Sequence, residues 1–177
     1  IKVLDKEIEA LASSSRYPQV ELLTGITGVG VLTALCFVLV VGDHERFAKP
    51  RDIGGYLGLV PKRDQSGEVD KELRISCKGD AYLRRLLVGC AQYILGPFGP
   101  DCDLRRRGLA LAERGGKRAK KKAVVATARK LAVVMLSLLK SGGATRATVT
   151  RRHEDFPERY RRIRDDCGVA RAPRLSG

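Results

Sequence analysis

The chain has 177 residues, enough for one ordinary domain and a tail, and carries 34 Lys and Arg against 20 Asp and Glu. The net charge of +14 and the pI near 10 point to a polyanionic partner, most often nucleic acid. Ribosomal-type and packaging proteins share this charge, so it indicates the class of partner and not an activity.

Cysteine and histidine usage argues against several kinds of site. The five cysteines are widely spaced without a C-x-x-C pair, so they lack zinc-site spacing and fit the reduced thiols of the cytosol. Only two histidines occur, which speaks against a His-based catalytic centre. No signal peptide is visible, and the longest apolar run, residues 123–139, includes Arg129 and Lys130 and falls short of a membrane span. We therefore expect a soluble cytoplasmic protein with no membrane contact and no metal ligands in this chain.

The predicted secondary structure is almost entirely helical. Apolar residues at helical spacing, bounded by Gly or Pro, predict helices at residues 1–12, 31–41, 50–57, 80–95, 101–114 and 117–140. Residues 20–23 are predicted to be a short apolar turn, and weak alternation allows a short hairpin in the loop at residues 62–78. The predicted fold class is all-α or nearly so, as a compact helical domain.

Composition divides the chain into three parts. Residues 1–15 are expected to be the end of a linking or coiled-coil helix, and because Ile1 already lies inside a helical pattern, we expect a fragment of a longer protein. Residues 20–141 are predicted to form the domain. Residues 142–177 are rich in Arg, Asp and Glu with few apolar side chains, so we expect a basic, partly disordered tail.

A glycine-rich turn at residues 25–30 precedes the apolar helix. It lacks the Lys and the Ser or Thr that follow the last glycine of a Walker loop, which excludes nucleotide hydrolysis of that kind. A helix-hairpin-helix fits better, because there the backbone N–H groups at the start of the second helix bind a DNA phosphate. This hypothesis predicts DNA contacts at Gly28 and Gly30. The alternative is a structural corner whose glycines allow close packing.

A basic cluster opens the last predicted helix. Lys117, Lys120 and Lys121 would place positive charge at its N-terminal end, where the helix dipole disfavours it. An external anion such as a nucleic-acid backbone would compensate, while a solvated charged face is the alternative. Aromatic residues are 5% of the chain and tryptophan is absent, so contacts to phosphates are expected rather than stacking on bases.

Ser66 lies in a polar loop between positive charges. A hydroxyl that attacks a phosphodiester needs cations around the transition state and a route for its proton. The cations nearest to it in sequence, which are candidate DNA contacts, are Lys62, Arg63, Arg74, Lys78, Arg84 and Arg85. An ordinary turn serine is the structural alternative, and Ser76 is the competing hydroxyl.

Seven segments, taken in order, resemble the C-terminal domain of the insertion-sequence one-ten and eleven-eleven transposases, which are DEDD-type recombinases guided by a bridge RNA. These segments are residues 23–34, 42–47, 56–61, 65–67, 74–79, 82–87 and 128–131. The resemblance extends over residues 22–140. The chain departs from it at Cys77, where the family more often has Lys or Thr, and in the Arg-rich tail.

The resemblance implies a DNA transposase whose serine attacks DNA and forms a covalent phosphoserine link during strand exchange, and Ser66 is the matching position. It also implies an N-terminal resolvase-like domain with four acidic ligands for Mg²⁺, a bridge RNA partner, and assembly into dimers or tetramers. Because that acidic domain matches no part of this chain, we expect no cofactor in the fragment and no activity from it alone. The alternative is a non-catalytic nucleic-acid-binding module that uses the glycine hairpin and the basic helix.

Overall fold

The computed structural model describes residues 2–12, 16–66, 69–116 and 118–142. Except for Gly142, the predicted tail at residues 142–177 lies outside the described residues, and so does Lys117. The elements in chain order are α1 (Lys2–Ala12), α2 (Pro18–Thr24), α3 (Val31–Val41), a 3₁₀ turn (Pro50–Asp52), α4 (Ile53–Tyr56), β1 (Pro61–Ser66), β2 (Val69–Ile75), α5 (Ala81–Leu95), α6 (Asp103–Glu113) and α7 (Ala119–Lys140). The predicted, mostly helical fold class is confirmed.

One short segment differs from its prediction. Residues 20–23, predicted to be a turn, belong to helix α2. Pro18 is the first residue of this helix, a position where its fixed φ and its missing N–H are tolerated. The prediction was wrong because it treated Pro18 only as a break in the preceding segment. Val20 and Leu23 are buried, so α2 contributes to the core.

Helix α7 lies at the centre of the core. Helices α2, α4, α5 and α6 and the 3₁₀ turn all pack against it. Its Leu131 and Met135 are fully buried, as are Leu87 and Ile94 of α5. Burial of each side chain of this size contributes about 1.5–3 kcal/mol. The packing of α5 on α7 matters for function, because the β-hairpin is attached to the beginning of α5.

The helix N-termini differ in what satisfies their first N–H groups. At α5, Asp80 Oδ1 accepts a hydrogen bond from the backbone N–H of Leu83 at 2.6 Å, so this helix carries its own cap. Helix α3 begins after Gly30 and α7 after Arg118, and neither has a side-chain cap or an acidic residue in its first turn. Backbone donors at such ends are available to an external acceptor. These are the two helix ends where the sequence predicts phosphate contacts.

Candidate functional site

The two strands of the hairpin that the sequence allows are present, and the first of them, β1, ends at Ser66. Strands β1 and β2 pair in antiparallel fashion from Pro61 opposite Ile75 to Ser66 opposite Val69, with an irregularity near the first pair. At about 3.3 Å per residue, β1 carries Ser66 roughly 17 Å away from Pro61. Ser66 therefore lies at the end of the hairpin that is remote from its attachment to the helical body.

The base of the hairpin is a tight seam between the two segments that flank it, residues 56–60 and residues 76–79. Gly58 has a φ of +68° and Gly79 a φ of +83°. A Cβ on Gly58 would overlap the backbone of Lys78, and a Cβ on Gly79 would overlap the carbonyl of Tyr56. Both positions therefore require glycine, on grounds of conformation and of space.

Two hydrogen bonds close the same seam. The N–H of Ser76 donates to the carbonyl of Val60 at 2.9 Å, and the N–H of Cys77 donates to the carbonyl of Gly58 at 3.2 Å. They extend the pairing of the two strands toward α5. The hairpin is thus joined to the helical body by hydrogen-bonded backbone on both of its sides.

Arg84 is half-buried beside this seam. Its Nη1 donates to the carbonyl of Leu57 at 3.0 Å and to the carbonyl of Lys78 at 3.1 Å. The guanidinium, predicted from sequence as a DNA contact, thus has two partners within the protein. The contact with DNA stays a prediction, and the structure adds an internal role.

Four of the other predicted cations are exposed around the base of the hairpin and in the first turns of α5. Lys62 and Arg74 are exposed beside the first strand pair, and Lys78 is exposed after β2. Arg85 is exposed on α5, with its guanidinium carbon 5.6 Å from the centre of the Tyr82 ring. Arg63 lies in β1, where its backbone is opposite Glu72. The fold therefore brings cations from both strands and from α5 to one region.

Sequence reasoning missed a further group of cations in the loop between α3 and α4. Arg46, Lys49 and Arg51 are exposed there. Arg46 is stacked over Tyr56, with its guanidinium carbon 4.6 Å from the ring centre. Because Tyr56 is the first residue of the seam, this loop adds positive charge near the base of the hairpin.

The carboxylates of the same loop are engaged within the protein. Asp43 Oδ1 accepts a hydrogen bond from the N–H of Glu45 at 2.9 Å, and Asp52 Oδ2 accepts one from the N–H of Lys49 at 3.1 Å. The Glu45 carboxylate lies 3.6 Å from Lys140 Nζ. The acids therefore have partners within the protein although they are exposed, and the exposed surface of this loop carries charges of both signs.

The two glycines proposed as DNA contacts have different surroundings. Gly28 has a φ of +82°, and a Cβ there would lie 2.8 Å from Cγ1 of Ile94 on α5. Gly30, the residue before α3, has a φ of −89° and is exposed, and a Cβ added to it would meet no atom within 4 Å. Gly28 thus has a packing reason to be glycine, whereas Gly30 is open toward solvent.

We expect the substitutions Gly28→Val and Gly30→Val to separate folding from binding. Gly28→Val should lower the free energy of unfolding by roughly 3 kcal/mol, since it forces a β-branched residue to a positive φ and against α5. Gly30→Val should cost about 1 kcal/mol or less, since its backbone is accessible to any residue. Thermal unfolding and DNA titration of both variants check this. A folded Gly30→Val protein that binds DNA normally would exclude a phosphate contact at the start of α3.

The basic end of α7 is exposed. Lys120, Lys121 and Lys122 lie in its first turns, and all three side chains face solvent. Lys117, the third predicted lysine of the cluster, lies outside the described residues. The helix start therefore combines exposed ammonium groups with the uncapped N–H groups noted above, and both favour an anion.

Other kinds of site find little support in the described part of the chain. Burial raises the pKa of the Cys90 thiol, and burial together with the Asp80 carboxylate raises the pKa of the Cys36 thiol, so neither favours a thiolate nucleophile. No three His, Cys, Asp or Glu side chains of the described residues are grouped as metal ligands. Within the same residues, no helix has the length and the apolar character needed to cross a bilayer.

Comparison with known proteins identifies the domain that contains the hairpin. Residues 20–101 match the family described as Transposase IS116/IS110/IS902. The chain is 35% identical over 136 residues to the transposase for insertion sequence element IS1111A of Coxiella burnetii, an alignment that covers 76% of this chain and 36% of that protein. It is 36% identical over 92 residues to the transposase for insertion sequence element IS1328 of Yersinia enterocolitica, covering 52% of this chain and 27% of the relative.

A third relative has a different name. The pilin gene-inverting protein of Moraxella lacunata is 28% identical over 120 residues, covering 67% of this chain and 36% of that protein. The chain thus spans about a third of the length of these relatives or less. The matched region includes the glycine turn, the hairpin and α5. Through residues 20–101, the chain belongs to the IS116/IS110/IS902 transposase family.

Proposed function

We propose that this chain is the part of a DNA transposase or recombinase that binds DNA phosphates and supplies the Ser66 hydroxyl as the nucleophile for strand cleavage and exchange. One observation carries the proposal. Ser66 is the last residue of β1, and the base of this hairpin lies among exposed cations from both strands, from α5 and from the loop before α4. Relatives whose names describe transposition of insertion elements or inversion of a gene support DNA as the substrate.

The chemistry requires a balanced exchange of bonds at phosphorus. The Ser66 oxygen forms a bond to the phosphorus while one bond from phosphorus to a deoxyribose oxygen breaks. The serine proton is lost to a base, and the leaving sugar oxygen takes up a proton. Because the phosphoserine link conserves the energy of the phosphodiester, rejoining in the reverse direction needs no external energy source. The cations at the base of the hairpin can bind neighbouring phosphates of the DNA backbone and so hold the DNA along the hairpin.

Ser76 is a poorer candidate for the nucleophile. Its Oγ is buried and has no hydrogen-bond partner among the described residues. A buried hydroxyl cannot reach a phosphate for in-line attack unless the seam opens. The position of Ser76 inside the seam, at the base of the hairpin, therefore supports the assignment to Ser66.

The Mg²⁺ that the family resemblance implies does not fit this part of the chain. The described residues group no three potential ligands of the required types, so the ion would be held by the acidic domain that the resemblance implies. A bridge RNA, assembly into dimers or tetramers, and a cytoplasmic location also rest on the resemblance and on composition, and they stay predictions.

A second candidate function is nucleic-acid binding without catalysis. The exposed lysines at the uncapped start of α7 favour it, because they can bind phosphates without any contribution from the hairpin. In that case Ser66 would be an ordinary strand-end serine.

Trapping a covalent adduct distinguishes the two candidates. A full-length transposase containing this chain is incubated with a nicked or branched DNA substrate and denatured, and the DNA-linked peptide is mapped by mass spectrometry. We expect a phosphodiester link at Ser66. Tight binding without any adduct would instead support the non-catalytic module.

A further inference from the structure

Arg84 makes contacts that its neighbour Arg85 does not. The two residues are adjacent in the first turns of α5 and carry the same charge. Arg85 is exposed and stacks beside Tyr82, whereas Arg84 is half-buried and donates to two main-chain carbonyls. One of these carbonyls belongs to Leu57, before the hairpin, and the other to Lys78, after it. A single side chain thus links α5 to the segment before the hairpin and to the segment after it.

The acceptors lie inside the seam. The carbonyls of Leu57 and Lys78 are next to Gly58 and Gly79, which allow backbone to pack directly against backbone there. Hydrogen bonds from a charged donor are stronger than those between neutral groups. Since α5 packs on α7, the guanidinium fixes the hairpin to the core of the domain.

We propose that Arg84 is a positioning residue for Ser66, acting through the seam rather than by contact with DNA. This inference rests on the proposed role of Ser66. The hairpin amplifies small movements at its base: a tilt of about 10° displaces the end of β1 by about 3 Å over its length of roughly 17 Å. Misplacement of a reacting group by about 1 Å costs on the order of 10²-fold in rate. Arg84 restricts that tilt.

The first test uses the 177-residue chain and needs no activity. Amide hydrogen exchange is followed at Ser76 and Cys77, whose N–H groups close the seam. Arg84→Ala and Arg84→Lys should each raise the exchange rates of these two amides about tenfold or more, while the amides of α7 stay protected. Arg85→Ala removes an equal charge and should leave the seam amides unchanged. Unchanged exchange in both Arg84 variants would overturn the proposal.

The second test uses the full-length transposase. Arg84→Lys keeps the charge but not the two-carbonyl geometry, so the rate of adduct formation at saturating DNA should fall on the order of 10²-fold while the salt dependence of binding stays that of the wild type. Free guanidinium ion should restore part of the rate lost in Arg84→Ala. Full activity in Arg84→Lys, together with a reduced slope of log affinity against log salt in Arg84→Ala, would identify Arg84 as a phosphate contact and overturn the proposal.

The two tests keep the two proposals apart. If the wild-type enzyme forms no adduct at Ser66, the proposal that Ser66 is the nucleophile is wrong. The positioning role of Arg84 is then wrong too, even if hydrogen exchange shows that Arg84 stabilises the seam. If the wild type forms the adduct and the Arg84 variants form it at the same rate, the positioning role alone fails.

Discussion

The affinity of this chain for duplex or branched DNA is expected to fall on the order of 10³-fold or more between about 50 mM and 200 mM salt, the response of a protein with roughly 6–10 phosphate contacts. The reason is the net charge of +14 and its distribution. Exposed cations lie around the base of the hairpin and in the first turns of α7. Few aromatic residues are present to provide contacts that resist salt.

Fluorescence anisotropy with several unrelated duplexes measures this dependence. Lys120→Ala with Lys121→Ala should weaken binding to all sequences and lower the slope of log affinity against log salt by about 1 per lost contact. Lys6→Ala, which removes an exposed charge from α1, serves as the control and should leave the slope unchanged. A slope near zero for the unmodified chain would contradict phosphate binding.

Most of the helices could be predicted because local signals mark their boundaries. Pro50 opens the 3₁₀ turn, Gly42 follows α3 with a φ of +58°, and Asp80 caps α5. Each signal acts through the backbone of its own or adjacent residues. Helix α2 was missed for the same kind of reason, since Pro18 can end one segment and begin the next.

The seam could not be predicted because it joins residues that are distant in sequence. Arg84 donates to the carbonyl of Leu57, 27 positions away. A main-chain carbonyl is present at every residue, so the partner of this arginine leaves no pattern in the sequence. The positive φ of Gly58 and Gly79 has the same origin, since it serves packing between the two flanking segments.

The cations of the loop before α4 could not be recognised from the sequence, because acids in the same segment cancel their charge. Asp43, Glu45 and Asp52 offset Arg46, Lys49 and Arg51 in residues 43–52, so the segment has no net charge apart from His44. The structure shows that each acid of this segment has a hydrogen bond or an ion pair within the protein, and that the three cations are exposed. Sequence composition reports the sum of charges, whereas binding depends on which of them remain available.

In the full-length transposase, Ser66→Ala is expected to abolish strand exchange, with a loss on the order of 10⁴-fold or more, and to leave DNA binding nearly unchanged. Without Oγ no covalent link to phosphorus can form, so the reaction loses its intermediate. Binding should persist because the exposed cations around the base of the hairpin and at the start of α7 are untouched. Recombination assays and binding titrations on the same preparation measure the two effects.

Ser76→Ala is the matched control, because it removes a hydroxyl from the same hairpin region without removing the proposed nucleophile. The Ser76 Oγ is buried with no partner among the described residues, and loss of an unpaired buried hydroxyl costs little stability. Recombination by this variant should therefore stay close to that of the wild type. Recombination by the Ser66→Ala enzyme, or an adduct that maps to Ser76, would show that the nucleophile was assigned to the wrong serine.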